Sequence, residues 1–221
     1  MTKARVPETD QGIQGEITVA IYDQMQRHLR DRGWFETPAL LKSGITQGCA
    51  LEIGYGPGYL GLEWLKQTEN TTLVGLDISM DMQSLAKRNA QSYRLTARTE
   101  YRLGSCDHMP FGDSSFDAVF TNGSLHEWNN PCGAFEEIWR VLRLGGRYFI
   151  SDLRRDMNPL VRAFLWLGTQ PASIRPGFRT SIEAAYTPQE LCNLAERTRL
   201  KNGKLSAIAV GITFSGIKWS S

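Results

Sequence analysis

The stretch from Leu51 to Gly61, LEIGYGPGYLG, constrains the fold of this chain more than any other. A short apolar run followed by closely spaced glycines predicts a buried strand that passes through a tight turn into a helix. Glycine has no Cβ, so the backbone of such a turn can approach a ligand and adopt a positive φ. The first amide N–H groups of the helix offer donors and a partial positive charge. We therefore expect a nucleotide-like, partly anionic ligand here.

Short apolar runs and helical patterns alternate along the chain after Gly48. Such alternation implies crossover connections and a doubly wound α/β fold, in which helices cover both faces of a mostly parallel sheet. The ligand of such a sheet lies at the C-terminal ends of its strands. We predict strands at residues 49–54, 72–77, 99–104, 116–122 and 147–153, and helices at 58–67, 79–91 and 132–142, the last stopped by Gly145 and Gly146.

An amphipathic N-terminal helix is predicted at residues 16–32, before this core. Its apolar positions recur at every fourth residue, which places them on one helix face. They are Ile17, Ile21, Met25 and Leu29, and Gly33 follows the helix at the position where glycine commonly ends one.

The chain after the core departs from the alternating pattern. Residues 154–186 hold three prolines and five arginines, and we predict a partly helical insertion that serves as a lid. A cap residue followed by proline predicts a last helix from Thr187 to Glu196, and residues 204–219 are strand-like with a reversal near Gly211. We expect one domain, made of an N-terminal helical cap (1–47), a core (48–152), the lid insertion (153–186) and a C-terminal helix with strands (187–221).

Composition limits the function classes. With 221 residues and 41% hydrophobic content, the chain can fill one core. Its 25 basic and 23 acidic residues nearly balance, which argues against a nucleic-acid partner. Its apolar runs are too short for a membrane span, and its polar first residues lack the core of a signal peptide. The four cysteines have no CxxC spacing, so we expect reduced thiols in a cytosolic protein and no metal site.

The glycines of the opening stretch fit two motifs. The three glycines from Gly56 to Gly61 match the dinucleotide pattern GxGxxG, with Asp77 following 21 positions after Gly56. On that reading the chain is an NAD(P)-dependent oxidoreductase, although it contains no Tyr-x-x-x-Lys pair. The predicted strand, however, ends at Gly54 and contains Glu52, which gives the pattern E-x-G-x-G-x-G. This pattern resembles the first motif of class I S-adenosylmethionine-dependent methyltransferases.

Three further segments extend the resemblance. Asp77 ends the second strand, where that family uses an acid to accept both ribose hydroxyls. The segment DHMPFGDSSFD at 107–117 is similar to the family's stretch beside the adenine, and RVLRLGGRYFISD resembles its R-V-L-K-P-G-G segment with Leu144 in place of proline. The match covers about residues 48–152. It implies a Rossmann-like seven-stranded sheet and a small-molecule enzyme similar to the ubiquinone/menaquinone methyltransferase branch.

The resemblance also implies S-adenosylmethionine as the cofactor and a set of residues that bind it. The glycines would hold the methionine part, Asp77 the ribose, and Asp107 with His108 the adenine. Tyr22 resembles the tyrosine that closes over the methionine end in similar proteins. The predicted cofactor residues are Tyr22, Glu52, Gly54, Tyr55, Gly56, Gly58, Asp77, Ile78, Met82, Cys106, Asp107, His108 and Asn122.

Catalytic residues carry a weaker signal, because a sulfonium donor requires only alignment of the reactants and exclusion of water. His126, in NGSLHEWNN after the fourth strand, is the candidate proton acceptor, and a pocket histidine without a proton role is the alternative. Glu127 and Trp128 are candidates for the pocket wall. The lid arginines fit either an anionic acceptor or a solvated helix face.

Nucleic-acid methyltransferases and non-catalytic proteins of the same fold are the other classes to consider. The run after the fourth strand lacks the Asn-Pro-Pro-Tyr signature of amino methylation on nucleic acids, and Pro131–Cys132 fits a helix start better than a nucleophile of pyrimidine methylation. A non-catalytic protein of the same fold, acting as a binding partner, is the rival from a different class.

Overall fold

In a computed structural model that describes residues 4–8 and 13–219, the chain forms a seven-stranded sheet. Its order is β3-β2-β1-β4-β5-β7-β6. β1 to β5 run parallel to one another, and β7 pairs antiparallel with β5 and β6. The order reverses between β1 and β4, where a doubly wound sheet opens a crevice for a ligand. The strands are β1 (Gly48–Ile53), β2 (Thr71–Asp77), β3 (Thr99–Leu103), β4 (Phe116–Asn122), β5 (Leu142–Leu153), β6 (Lys204–Ala207) and β7 (Gly211–Ile217).

Side-chain caps fix the starts of several helices. The Ser79 hydroxyl accepts the Met82 N–H at 3.2 Å, and Thr187 forms a reciprocal capping box with Glu190. The α-helices of the described residues are α1 (Glu16–Asp31), α2 (Thr37–Lys42), α3 (Tyr59–Lys66), α4 (Met80–Ser92), α5 (Pro131–Val141), α6 (Pro159–Gly168), α7 (Arg175–Ala184) and α8 (Pro188–Ala195). Single turns of 3-10 helix lie at Thr96–Arg98, Leu125–Glu127 and Ala172–Ile174.

Alternate side chains of the central strands enter two core layers. Val119 of β4 packs in the layer that contains Phe135 and Ile138 of α5. The next residue, Phe120, packs on the other face against Trp64 of α3, with ring centroids 5.7 Å apart. Because both faces are covered, the strands are nearly continuous apolar runs, as the sequence predicts.

The start of β5 differs from the prediction. α5 ends at Val141 and β5 begins at Leu142, so Gly145 and Gly146 lie within the strand and the prediction that they end the helix was wrong. The Gly145 N–H donates to the Lys218 carbonyl at 2.7 Å, and the Lys218 N–H donates to the Gly146 carbonyl at 2.8 Å. The two glycines therefore extend the sheet beside β7.

The buried face of α1 also differs from the prediction. Ile17 is 77% exposed, whereas Val19 and Asp23 are buried. The Tyr59 hydroxyl donates to Asp23 Oδ1 at 2.9 Å, so a polar contact with α3 helps to set the orientation of the helix. An apolar period alone could not predict that contact.

The insertion at residues 153–186 is partly helical, as predicted, and contains α6 and α7. α7 packs against the turn Leu125–Glu127, and the turn Ala172–Ile174 contacts α1. The insertion therefore lies beside the loop that follows β4. Among the described helices, none combines the length and the apolar character that a bilayer crossing requires.

Candidate functional site

A cavity of about 370 Å³ lies where β1 to β4 end. This volume is in the range of small-molecule sites, roughly 300–1,000 Å³. Its lining comes from the residues that follow these strands and from the segment around α1, namely Ile13, Gln14, Tyr22, Ile53, Gly54, Gly56, Leu76, Asp77, Ile78, Met82, Gly104, Ser105, Cys106, Asp107, Gly123, Ser124, Glu127, Trp128, Asn129 and Asn130.

The glycine loop after β1 forms one wall of the cavity. Gly54 and Gly56 have φ values of 65° and 50°, in the left-handed region that favours glycine. A Cβ on Gly54 would lie 2.6 Å from Cβ of Ser124, in the loop after β4. The Gly54 N–H donates to the Leu76 carbonyl at 2.8 Å, which joins the ends of β1 and β2. The backbone of this loop can therefore lie directly against a ligand.

Asp77, at the end of β2, connects this loop to the next helix. Its Oδ2 accepts the Gly56 N–H at 2.9 Å, and its Oδ1 accepts the Ser79 N–H at 2.9 Å. Burial raises the pKa of the carboxyl, while these backbone donors act in the opposite direction. An ionised carboxylate has about four lone-pair sites, so two remain for a ligand diol in the cavity.

The loop after β3 contributes Ser105, Cys106 and Asp107. The Ser105 hydroxyl donates to Asp107 Oδ1, and this bond lowers the pKa of the Asp107 carboxyl. Burial raises the pKa of the Cys106 thiol to about 12, which keeps the thiol neutral. This wall therefore offers a charged acceptor beside an apolar sulfur.

Arg140 of α5 holds the continuation of this loop. Its guanidinium donates to the Phe111 carbonyl at 2.7 Å and to the Met109 carbonyl at 3.1 Å. The same side chain pairs with Glu137 at 2.6 Å, and Glu137 accepts the Met109 N–H at 2.7 Å. The loop is thus fixed through its main chain.

The loop after β4 contains a buried histidine that pairs with an aspartate. Nδ1 of His126 lies 2.9 Å from both carboxylate oxygens of Asp152, which sits near the end of β5. The main-chain N–H of His126 also donates to Asp152 Oδ2 at 2.8 Å. Burial alone lowers the pKa of His126, but Asp152 opposes it and the pKa rises to about 9.

Two further carboxylates face the other nitrogen of this ring. His126 Nε2 lies 3.5 Å from Glu8 Oε2 and 4.0 Å from Glu127 Oε1. Glu127 also lines the cavity, and burial raises its pKa to about 7. Glu8 belongs to an N-terminal arm, residues 4–8, in which Arg5 donates to the His126 carbonyl at 2.8 Å. The arm therefore closes the far side of the histidine.

Tyr22 of α1 lies on the cavity wall beside the glycine loop. A Cβ on Gly56 would be 3.5 Å from Cε1 of Tyr22. The Tyr22 hydroxyl accepts a bond from Gln26 Nε2 at 2.9 Å. Burial raises the pKa of the Tyr22 phenol above its usual value, so the phenol is neutral.

Comparison with known proteins identifies the core. Residues 51–150 match the model of a methyltransferase domain family. Over these residues, the core of this chain is similar to a methyltransferase domain. A demethylmenaquinone methyltransferase of Roseiflexus castenholzii is 32% identical over 139 residues, covering 62% of this chain and 56% of that protein. Its counterpart in Porphyromonas gingivalis is 26% identical over 180 residues, covering 80% of this chain and 74% of that protein.

The fold of the chain also matches a solved structure. A Methanococcus maripaludis protein, described as a candidate S-adenosyl-L-methionine-dependent methyltransferase, superposes with a TM-score of 0.75 and 20% identity. The superposition covers 100% of this chain and 98% of that one. By contrast, the chain spans only 56% of the length of the Roseiflexus relative. The Rossmann-like fold therefore extends beyond the part aligned with that relative.

The fold brings most of the predicted cofactor residues to one cavity. Those on its lining are Tyr22, Gly54, Gly56, Asp77, Ile78, Met82, Cys106 and Asp107. Those outside the lining are Glu52, Tyr55, Gly58, His108 and Asn122, and His126 is outside it as well. Binding roles for all of these residues, and the proton role of His126, stay predictions.

The residues outside the lining have other surroundings. Glu52 is 3% exposed, accepts the Gly61 N–H beneath α3 and has an Oε2 without a hydrogen-bond partner. Tyr55 packs against Tyr101, with ring centroids 4.9 Å apart. The His108 side chain is 86% exposed, and the Asn122 side chain accepts from the Ser151 hydroxyl at 2.8 Å.

The sequence analysis did not identify several residues in and around the cavity. Gly104 and Gly123, which directly follow β3 and β4, occupy strand-end positions, so the same rule that selected Asp77 could have found them. Asp152 stands near the end of β5 and carried the same signal. Ile13 and Glu8 had no sequence signal, because tertiary contacts set their positions; the Ser79 hydroxyl, for example, donates to the Ile13 carbonyl at 2.7 Å.

Proposed function

We propose that this chain methylates a small, uncharged aromatic acceptor such as a reduced quinone. The cofactor is S-adenosylmethionine, in keeping with the methyltransferase domain and the name of the M. maripaludis neighbour. The observation that carries the proposal is one cavity with the glycine loop and Asp77 on one side, Glu127 and Trp128 on the other, and Tyr22 at the edge of the glycine loop. The relatives named as demethylmenaquinone methyltransferases support the choice of acceptor.

The residues of the first side fit the cofactor. Gly54 and Gly56 provide close main-chain approach for the methionine part, and the free lone pairs of Asp77 match the two ribose hydroxyls. Asp107, with the apolar Cys106 and Ile78 nearby on the lining, suits the adenine. These assignments agree with those that the resemblance predicts.

The residues of the second side favour an uncharged acceptor. Trp128 and Tyr22 give aromatic surfaces, and the nearby Glu127 carboxyl disfavours an anion. The lid arginines, which suggested an anionic acceptor, have partners: Arg154 pairs with Asp156 at 2.7 Å, and Arg155 pairs with Glu190 at 2.5 Å. The others also have partners, as Arg162 and Arg179 lie 3.4 and 3.0 Å from Glu183 and the Arg175 guanidinium lies 4.8 Å from the centroid of Trp166.

The chain's own task is alignment and exclusion of water. When bound, the cofactor supplies an electrophilic methyl group whose C–S bond breaks as the new bond to the acceptor forms. Trp128 and Tyr22 would hold a flat ring against the glycine side of the cavity, and the insertion at 153–186 would close over it as a lid. A hydroquinone ring has the electron density to attack as a carbon nucleophile and then loses a proton.

A methylation assay tests this proposal. The purified chain is given labelled S-adenosylmethionine with a demethylated naphthoquinone that carries a short prenyl tail, in its reduced or its oxidised form. A third arm uses an aromatic carboxylate of similar size. We expect S-adenosylhomocysteine with the reduced quinone only, because the oxidised ring is a poor nucleophile. Turnover with the carboxylate alone would overturn the choice of acceptor, and cofactor binding without turnover would favour the non-catalytic rival.

The remaining parts of the proposal concern location and organisation. The four cysteines are free thiols, which suits the cytosolic location that we propose. The division into cap, core, lid and C-terminal part is likewise a proposal, supported by the contacts of α7 with the turn Leu125–Glu127. The dinucleotide reading is not favoured, because residues 51–150 match a methyltransferase domain.

A further inference from the structure

His126 is oriented in the way that metal-binding histidines are. Both carboxylate oxygens of Asp152 lie 2.9 Å from Nδ1, so a hydrogen on Nδ1 is held there and Nε2, once its proton is displaced, is the ring atom that can bind a metal. The side chains of His126 and Asp152 are only 4% and 1% exposed. A buried carboxylate behind a histidine fixes the ring and raises its basicity as a ligand.

Nε2 faces two more potential ligands. Glu8 Oε2 is 3.5 Å away, Glu127 Oε1 is 4.0 Å away, and all three ligand atoms lie within 4.8 Å of one another. Atoms bound to one ion at about 2.0–2.2 Å are separated by roughly 3.0–3.5 Å. Small side-chain shifts would therefore bring the three atoms to bonding distance.

The group also contains more acidic than basic side chains. Glu8, Glu127 and Asp152 place three carboxyl groups around one imidazole. The nearest cation of the arm, Arg5, donates to the carbonyls of Ala184 at 2.5 Å and His126 at 2.8 Å. Its guanidinium also lies 4.3 Å from the centroid of the Tyr186 ring. Arg5 is thus directed at main-chain oxygens on the outer side of the group.

We propose that Glu8, His126 and Glu127 bind one divalent transition-metal ion, with Asp152 as the residue that positions His126. One imidazole with two carboxylates suits Zn²⁺, Mn²⁺, Fe²⁺ or Co²⁺, whereas Ca²⁺ and Mg²⁺ favour sites made of oxygen alone. Three protein ligands leave coordination positions open. Since Glu127 also lines the cavity, an oxygen of the acceptor could take one of them.

The sequence did not indicate this site. Glu8 precedes His126 by more than 100 positions, and only the packing of the arm against α7 brings them together. Val6 N–H donates to the Glu183 carbonyl at 3.1 Å and holds the arm in place. Metal on Nε2 would replace the predicted proton-acceptor role of His126, because the imidazole lone pair would be engaged.

Titration calorimetry of the chelator-treated protein with Zn²⁺ and with Mn²⁺ tests the proposal without any methyl donor or acceptor. Its outcome is therefore independent of the proposed function. We expect one ion per chain, and at least a 10-fold loss of affinity in Glu8→Gln, in Glu127→Gln and in His126→Gln. Asp152→Asn should weaken binding by about 10- to 100-fold, because it removes the partner that orients the ring. The matched control is Glu16→Gln, an exposed carboxylate on the first turn of α1, which should bind as the wild type does.

The main comparison of a second measurement is made on the wild-type chain with and without metal, so it does not depend on whether a variant folds. Binding ties Glu8 of the arm to the core, and the Val6 amide should therefore exchange its hydrogen more slowly when Zn²⁺ is present. Glu8→Gln should abolish this slowing. Absence of binding, or binding that Glu8→Gln and Glu127→Gln leave unchanged, would overturn the proposal and leave His126 as a hydrogen-bonded imidazole only.

Discussion

Replacing Asp77 by Asn tests the cofactor assignment most directly. The carboxylate accepts the Gly56 and Ser79 N–H groups at 2.9 Å each and keeps two lone-pair sites for the ribose diol. In Asp77→Asn the amide NH₂ must face one of these backbone donors, and the remaining oxygen is neutral. Hydrogen bonds to a charged group contribute about 1.5–3 kcal/mol each. We expect a loss of about 2–4 kcal/mol in cofactor binding, or roughly 30- to 700-fold in Kd.

Titration calorimetry with S-adenosylhomocysteine measures this loss, and circular dichroism checks that the variant is folded. Asp81→Asn is the matched control. Asp81 lies one helical turn further on, outside the cavity lining, and accepts the Gly15 N–H at 2.9 Å. Asp81→Asn therefore removes one negative charge, as Asp77→Asn does, four positions further along the chain. A Kd for Asp77→Asn within threefold of wild type, or an equal loss in Asp81→Asn, would refute the reasoning, since the effect would then not depend on direct contact.

Three further predictions concern the core and the helices. Burial, with the nearby charge of Asp77, raises the pKa of Glu52 to about 8, so the folded state keeps a proton that the unfolded chain loses above its ordinary pKa. The free energy of unfolding should therefore fall by a few kcal/mol between about pH 4.5 and pH 8 in wild type, and urea denaturation should find this fall absent in Glu52→Gln. Gly54→Ala should weaken cofactor binding at least 10-fold by calorimetry, because the added Cβ meets Ser124. Gly145→Ala is its control: Gly145 has a φ of 80° and no atom near the added Cβ, so this variant tests backbone strain alone. Thr187→Ala should cost about 0.5–2 kcal/mol in urea denaturation through loss of the capping box, with cofactor affinity unchanged.

The sequence predicted those features that local chemistry decides. The strand Phe116–Asn122 and the start of α8 after the cap residue Thr187 follow from an apolar run and from a cap residue followed by proline, within a few positions. The cavity residues at strand ends followed from the rule for parallel sheets. The fold and the position of the cavity at the strand ends could therefore be predicted from the sequence.

Features decided by distant contacts were not accessible. The glycines at 145 and 146 read as a helix stop, but their pairing with Lys218 places them in a strand. The orientation of α1 depends on Asp23 meeting Tyr59, a contact between polar side chains that apolar periodicity ignores. Glu8 reaches His126 only because Arg5 and Val6 bind carbonyls of the distant α7.

The bond network of Arg140 has a consequence for how this protein could change its chemistry. Arg140 and the strand ends build the cofactor side from the sheet and its main-chain bonds, so that side is specified by the core alone. On the acceptor side, segments outside the core contact the turn that holds Glu127: Arg5 of the arm at 4–8 donates to the His126 carbonyl, and α7 of the insertion at 153–186 packs against Leu125–Glu127. The acceptor side can therefore be changed without changing the cofactor side. Exchanging the arm and insertion together between related chains should transfer acceptor preference while the methyl donor site is retained.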